Sequence, residues 1–258
     1  MILRILITLA ALAAVMSCPF RAAAGDAAKP QYYELRVYTT QSEAQRQRVN
    51  DYWQNAAVPA YNRMGIQPVG VFTEMQDSAT NKIYVLIPCD SAESFVAIPA
   101  KLAADADYQK AAAEYLAAPK SNPAYERFES SLLVAFDGMK HISATTADQK
   151  PNVFELRTYL SPSEAGGLNK IHMFESGEID VMKEVGLAPI FYGRMLAGSH
   201  LPCLVYMTSG ENLDEHQKHW QKFSAAPVWK ALQADPQYKD NMTSMIKVML
   251  KRTSASQI

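Results

Sequence analysis

The chain has 258 residues, with 25 basic side chains against 26 acidic ones. So even a balance offers nothing to nucleic acid or to an anionic membrane surface, and the length suits one large domain or two ordinary ones. Three cysteines are too few for a disulfide-built scaffold.

Met1 to Ala24 reads as a removable secretory signal: Arg4, the apolar run Ile5 to Val15, then Ala22-Ala23-Ala24 before Gly25. The run is shorter than the roughly 20 residues a membrane span needs, and no later stretch free of charge reaches that length. The expectation is export to the periplasm or medium, with cleavage before Gly25. A rival reading, from Val15-Met16-Ser17 before Cys18, is a lipoprotein anchored at Cys18. Loss of Arg4 and Arg21 leaves 23 basic and 26 acidic residues, a net charge of −3.

Tyr32 to Tyr38 is rich in bulky β-formers and predicts a strand. Val49, Tyr52, Trp53, Ala56, Ala57, Ala60 and Met64 then recur at helical spacing, with Pro59 a possible kink and Gly65 a stop. Ile66 to Glu74 and Lys82 to Ile87 read as a hairpin turned at Asp77, Ser78 and Asn81. Ser91 to Leu116 reads as helix broken near Pro99, and Phe128, Leu132, Val134 and Phe136 mark a last strand. The order is β-α-β-β-α-β, the split pattern of a ferredoxin-like domain.

The same order returns. Tyr33-Glu34-Leu35-Arg36-Val37-Tyr38 reappears as Phe154-Glu155-Leu156-Arg157-Thr158-Tyr159, and Met64-Gly65-Ile66-Gln67-Pro68 as Val185-Gly186-Leu187-Ala188-Pro189 after an identical interval. Duplication is the simplest cause. The second copy predicts strands at Val153 to Leu160, Leu187 to Met195, Cys203 to Thr208 and Ile246 to Leu250. Its helices carry Ile171, Phe174, Val181 and Val185, and begin again near Asn212. The expected domains are therefore 31–137 and 153–258, with 138–152 as a linker rich in Thr, Ser, Asp and Lys.

A Glu-Leu-Arg-x-Tyr strand opening each copy, with a Gly-x-x-Pro turn into the second strand, resembles the NIPSNAP family over nearly the whole chain after the signal. The resemblance implies ferredoxin-like modules pairing through their sheets into an α+β barrel, as in small dimeric oxygenases. Here the two copies would pair within one chain. A Gly-Lys pair common after the family's first strand is absent; Gln41-Ser42-Glu43-Ala44 and Ser161-Pro162-Ser163-Glu164 stand there.

Strand alternation puts Leu35 and Val37 on one face and Glu34, Arg36 and Tyr38 on the other. The apolar face is assigned to the helices, which turns Glu34, Arg36, Tyr38, Glu155, Arg157 and Tyr159 towards the partner sheet or solvent, and so makes them candidates to line a cavity between the sheets. In such a cavity the arginines could hold a carboxylate or enolate. Equally, two Glu and two Arg could simply neutralise one another.

His172 is predicted to face water, and His216 to pack on the sheet beside Trp220 and Phe223. His216 and His219 lack an evident third metal ligand. No histidine falls on a strand that would line the barrel, and no dinucleotide, phosphate-loop or Gly-x-Ser-x-Gly motif is present, so neither metal nor cofactor is implied. Cys89 and Cys203 read as buried thiols, with a single bridge the alternative. Three functions stay open: a non-catalytic module for a small apolar or carboxylate ligand or a protein partner, a cofactor-free oxygenase or isomerase, and a structural protein with a filled barrel.

Overall fold

The computed structural model describes residues 28–76, 82–143 and 151–258. The signal-like segment, Asp77, Ser78, Asn81 and the middle of the linker lie outside the described residues. Among those described, no helix is long and apolar enough to cross a membrane.

Each half folds as the order of its periodic segments demands. In the first, β1 (Tyr32–Thr39) leads to α1 (Glu43–Tyr52), whose first turn is capped by Ser42 accepting from the Gln45 backbone N–H. The helix widens into a π-helical turn, Trp53–Ala57, before α2 (Val58–Arg63). Gly65 follows at φ +79°, a left-handed position that suits a residue without Cβ, and Gly186 repeats it at +90°.

The half continues through β2 (Gly70–Glu74), β3 (Lys82–Cys89), α3 (Ala92–Ala104), α4 (Ala106–Ala111), α5 (Ala113–Leu116) and β4 (Arg127–Ala135). Pro99 does not break α3 as expected. It lies on the exposed side, where water can take the carbonyl that it leaves unbonded. The break comes at Asp105, which caps α4 by accepting from the Tyr108 backbone N–H.

The second half repeats the plan: β5 (Val153–Leu160), α6 (Glu164–Met173), a π turn Phe174–Glu178, α7 (Ile179–Glu184), β6 (Ala188–Ala197), β7 (Cys203–Gly210), α8 (Leu213–Ala225), α9 (Pro227–Ala234) and β8 (Ser244–Arg252). The eight strands close into one antiparallel barrel in the order β1-β3-β2-β8-β5-β7-β6-β4. Each half therefore contributes four strands in ferredoxin-like order, and the halves join along β2–β8 and β4–β6.

The barrel interior is packed from both halves. Tyr33, Leu35, Phe72, Tyr84, Leu86 and Leu133 meet Phe154, Leu156, Phe191, Val205, Met207 and Leu250. Phe72 lies 4.7 Å from Phe154 and Tyr33 5.2 Å from Phe191, ring centre to ring centre. A Cβ on Gly193 would stand 3.0 Å from Leu133, so even a methyl is crowded there. Helices cover the outside of each sheet over two further cores. Cys89 and Cys203 are free and buried, and burial pushes their thiols up to about 12 and about 11.

Candidate functional site

The structure reverses the predicted strand faces. Leu35, Leu156 and Val37 point into the barrel, while Tyr38 and Tyr159 belong to the cores beneath the helices, with Glu34, Arg36, Glu155 and Arg157 on the same side. The reason is physical. The interior is filled mainly by apolar and aromatic side chains, whereas the helices bring hydrogen-bonding groups such as His216 and Trp220 down onto the sheet. The six candidates thus form two separate clusters, one per half, and none lines the space between the sheets.

In the first cluster Arg36 grips Glu34 in a two-pronged ion pair, Nε to Oε1 at 2.8 Å and Nη2 to Oε2 at 3.1 Å. Ser130 on the neighbouring strand donates to the same carboxylate at 2.7 Å. The guanidinium carbon lies 5.0 Å from the Phe128 ring centre and 5.6 Å from that of Trp53 in the π turn. Beyond it stand tyrosines: Tyr52 stacks on Tyr115 at 3.7 Å and shares a 2.9 Å hydrogen bond with Tyr108. Burial raises the phenols of Tyr52, Tyr61 and Tyr115 far above their ordinary range. None is a usable base near neutrality.

The second cluster is more charged. Arg157 Nε donates to Glu155 Oε1 at 2.7 Å, and its guanidinium sits 3.5 Å over the Trp220 ring. His216 Nε2 and Trp220 Nε1 each stand 2.6 Å from Glu155 Oε2. His216 Nδ1 is buried without a partner among the described residues. Burial alone would raise the Glu155 carboxyl; the hydrogen bond from His216 and the pairing with Arg157 outweigh it and hold the group down at about 2.

In the same half, Lys170 of α6 and Glu178 of the π turn make a second buried ion pair at 3.0 Å. Lys170 is ringed by Tyr159, Phe174 and Trp229 at 4.9–5.5 Å. Burial raises the Glu178 carboxyl against the opposing pull of Lys170. Sequence reasoning placed His216 against the sheet but missed its bond to Glu155, and missed Ser130, Lys170 and Glu178 altogether. Lys170 does fall four residues before Phe174 of the predicted apolar stripe, the signal that could have found it.

These clusters account for their own charges. The carboxylates of Glu34, Glu155 and Glu178 each have a cationic partner, and the phenols of the second half are engaged as well, Tyr159 with Tyr206 at 2.8 Å. His172 is exposed as expected, with its Nδ1 2.9 Å from the Tyr238 hydroxyl. Among the described residues no group of three or more His, Cys, Asp or Glu side chains could hold a metal ion.

Outside the clusters, the duplication leaves a cleft of the same position in each half, between the first helix and the second and third strands. The first is about 250 Å³ and is lined by Arg46, Gln47, Asn50 and Thr73 among others. The second is about 300 Å³ and is lined by Gly167, Leu168, Ile171 and Arg194 at the corresponding positions, with Met195, Leu196 and Leu201.

A comparison with curated proteins finds no match. Among solved structures, a candidate monooxygenase of Lactobacillus acidophilus superimposes with a TM-score of 0.59 at 11% identity, covering 89% of this chain and 97% of that one. A candidate monooxygenase of Fusobacterium nucleatum gives 0.56 at 11% identity, over 87% and 93%. A NIPSNAP family protein of unknown function from Agrobacterium tumefaciens aligns over 39% of this chain and 87% of its own, at 18% identity and a TM-score of 0.35. At these identities the likeness is one of fold. The NIPSNAP family model matches residues 33–136 and again 154–257, most of the chain and both halves, so the protein belongs to the NIPSNAP family, in two tandem copies.

Proposed function

We propose that this NIPSNAP protein is an exported, non-catalytic binding module whose recognition surface lies outside the barrel. One observation carries the reading: the space between the two sheets, where a barrel of this kind would enclose a substrate, is filled by side chains from both halves, with Phe72 against Phe154 and Tyr33 against Phe191. Tyr33 lies in this interior, and its buried hydroxyl has no hydrogen-bond partner among the described residues. Burial pushes that phenol up, so it is not a base near neutral pH.

The rival is a cofactor-free oxygenase, which the candidate monooxygenases and an anthrone oxidase-like protein of similar fold bring to mind. Oxygen uptake separates the two. With anthrones and quinols under air the protein should consume no oxygen above the buffer rate; sustained uptake abolished by enlarging Gly193 would overturn the binding reading. Export rests on Met1 to Ala24. Mass spectrometry of the protein recovered from outside the cytoplasm should find Gly25 first, and an acylated Cys18 would replace simple cleavage by a lipid anchor.

A further inference from the structure

We infer that the cleft beneath α6 in the second half binds a small single-chain carboxylate, its tail on Leu168, Ile171, Leu196 and Leu201 and its head on Arg194. This inference rests on the binding reading above and names its site and ligand class.

The duplication supplies the control. The same cleft in the first half is lined by Arg46, Gln47, Asn50 and Thr73, where the second has Gly167, Leu168, Ile171 and Arg194. The fold therefore accepts polar residues at these positions. An apolar lining is not needed to hold helix on sheet, and it exposes apolar surface to water. Leu168 is 53% exposed, Leu201 49% and Leu196 39%, three large aliphatic side chains gathered round one depression.

The two clefts also differ in cover. In the first half the chain after β8 comes down on α1, with Asn50 donating to Ser254 at 3.2 Å and Ser254 donating to Gln54 at 2.6 Å. Lys251 and Thr253 fill part of that wall. The second cleft has no counterpart to this strap among its lining residues. Gly167 opens it further: a Cβ there would meet only Ser161 and Pro202, at ordinary contact distances of 3.7–3.9 Å. Arg46 at the corresponding place projects a long charged side chain instead.

The charge decides the head group. Arg194 is exposed on the outer face of β6, and its side chain has no ion pair or hydrogen bond to any described residue, unlike those of Arg36 and Arg157. The lining holds one other charge, Glu164 in the first turn of α6. A guanidinium at the edge of an apolar trough matches a carboxylate carried on a hydrocarbon chain, because it offers paired donors to the head while the tail leaves water. A volume of about 300 Å³ is at the lower end for small-molecule sites and limits the ligand to a short chain.

Octanoate and 1-octanol, titrated calorimetrically into the purified protein, form the test. Octanoate should bind, and the alcohol should bind on the order of tenfold more weakly for want of the ion pair. Arg194→Thr, the residue of the first half, should bring octanoate down to the level of the alcohol. Gly167→Arg with Leu168→Gln, also taken from the first half, should abolish both while the thermal midpoint stays within a few degrees. Absence of octanoate binding would overturn the inference, as would binding that survives the second variant. Neither result would touch the binding reading as a whole, which stands or falls on oxygen uptake.

Discussion

The two halves are built on one plan, yet the layers between helix and sheet solve the same electrostatic problem differently. Each first strand carries a buried glutamate with an arginine two residues on. In the first half Ser130 completes the carboxylate, and Val49, Ala57 and Phe95 fill the helix side. At the corresponding positions the second half has Lys170, Glu178 and His216, so it buries a further ion pair and a Glu–His hydrogen bond. The pair Lys170–Glu178 is therefore not required by the fold, since Val49 and Ala57 occupy the corresponding sites of the first half without any charge. What the comparison teaches is that a buried ion is tolerated where its partner is fixed, and that apolar residues suffice otherwise.

The sharpest way to break the comparison is to remove one ion of that pair. Glu178→Ala leaves Lys170 buried without its partner and should cost about 3–5 kcal/mol in urea denaturation, whereas Lys170→Val with Glu178→Ala, copying the first half, should be close to neutral. A double variant as unstable as the single one would mean that the cavity, and not the stranded charge, sets the cost.

Acid titration sharpens it next. Glu155 is held at about 2 in the folded protein, below its unfolded value of about 4.3. Its contribution is thus fully present above pH 4.3 and is lost as pH falls through 2. The stability gap between the parent and Glu155→Gln should narrow by on the order of 3 kcal/mol over that window. A gap independent of pH would show that the carboxylate is not stabilised in its charged form.

A smaller effect is expected at His216. Exchange for phenylalanine, the residue of the first half at that position, removes one hydrogen bond from Glu155 and leaves Arg157 and Trp220 in place. The loss should be about 1–2 kcal/mol by thermal or urea melting. A larger loss would make His216, not Arg157, the principal partner of the carboxylate.

Much of this architecture was legible in the chain because duplication writes each local signal twice. The Glu-Leu-Arg strand and the Gly that ends the first helix recur at matching places, and the strands fall close to their predicted bounds except β2, which starts at Gly70 and not at Ile66. The inward face was not legible. Alternation along Tyr33 to Tyr38 separates two faces but cannot say which one meets helices, and a strand with Glu and Arg looked like the lining of a cavity.

The partners that settle the matter, Ser130, His216 and Trp220, lie 60 or more residues from the carboxylates they touch. The fold of each half brings them there, with β4 beside β1 and α8 over β5. Pro99 misled for a simpler reason, since a proline on the wet side of a helix need not end it.

The central claim is that the Glu–Arg pairs fasten helices to sheet and do not await a ligand. Urea denaturation of Arg157→Met tests it most directly, because methionine keeps much of the length and deletes the charge. The account predicts a loss on the order of 3 kcal/mol, from a glutamate left buried beside His216 and Trp220 without its cation. A variant as stable as the parent would contradict it and return Arg157 to the role of a ligand-binding residue.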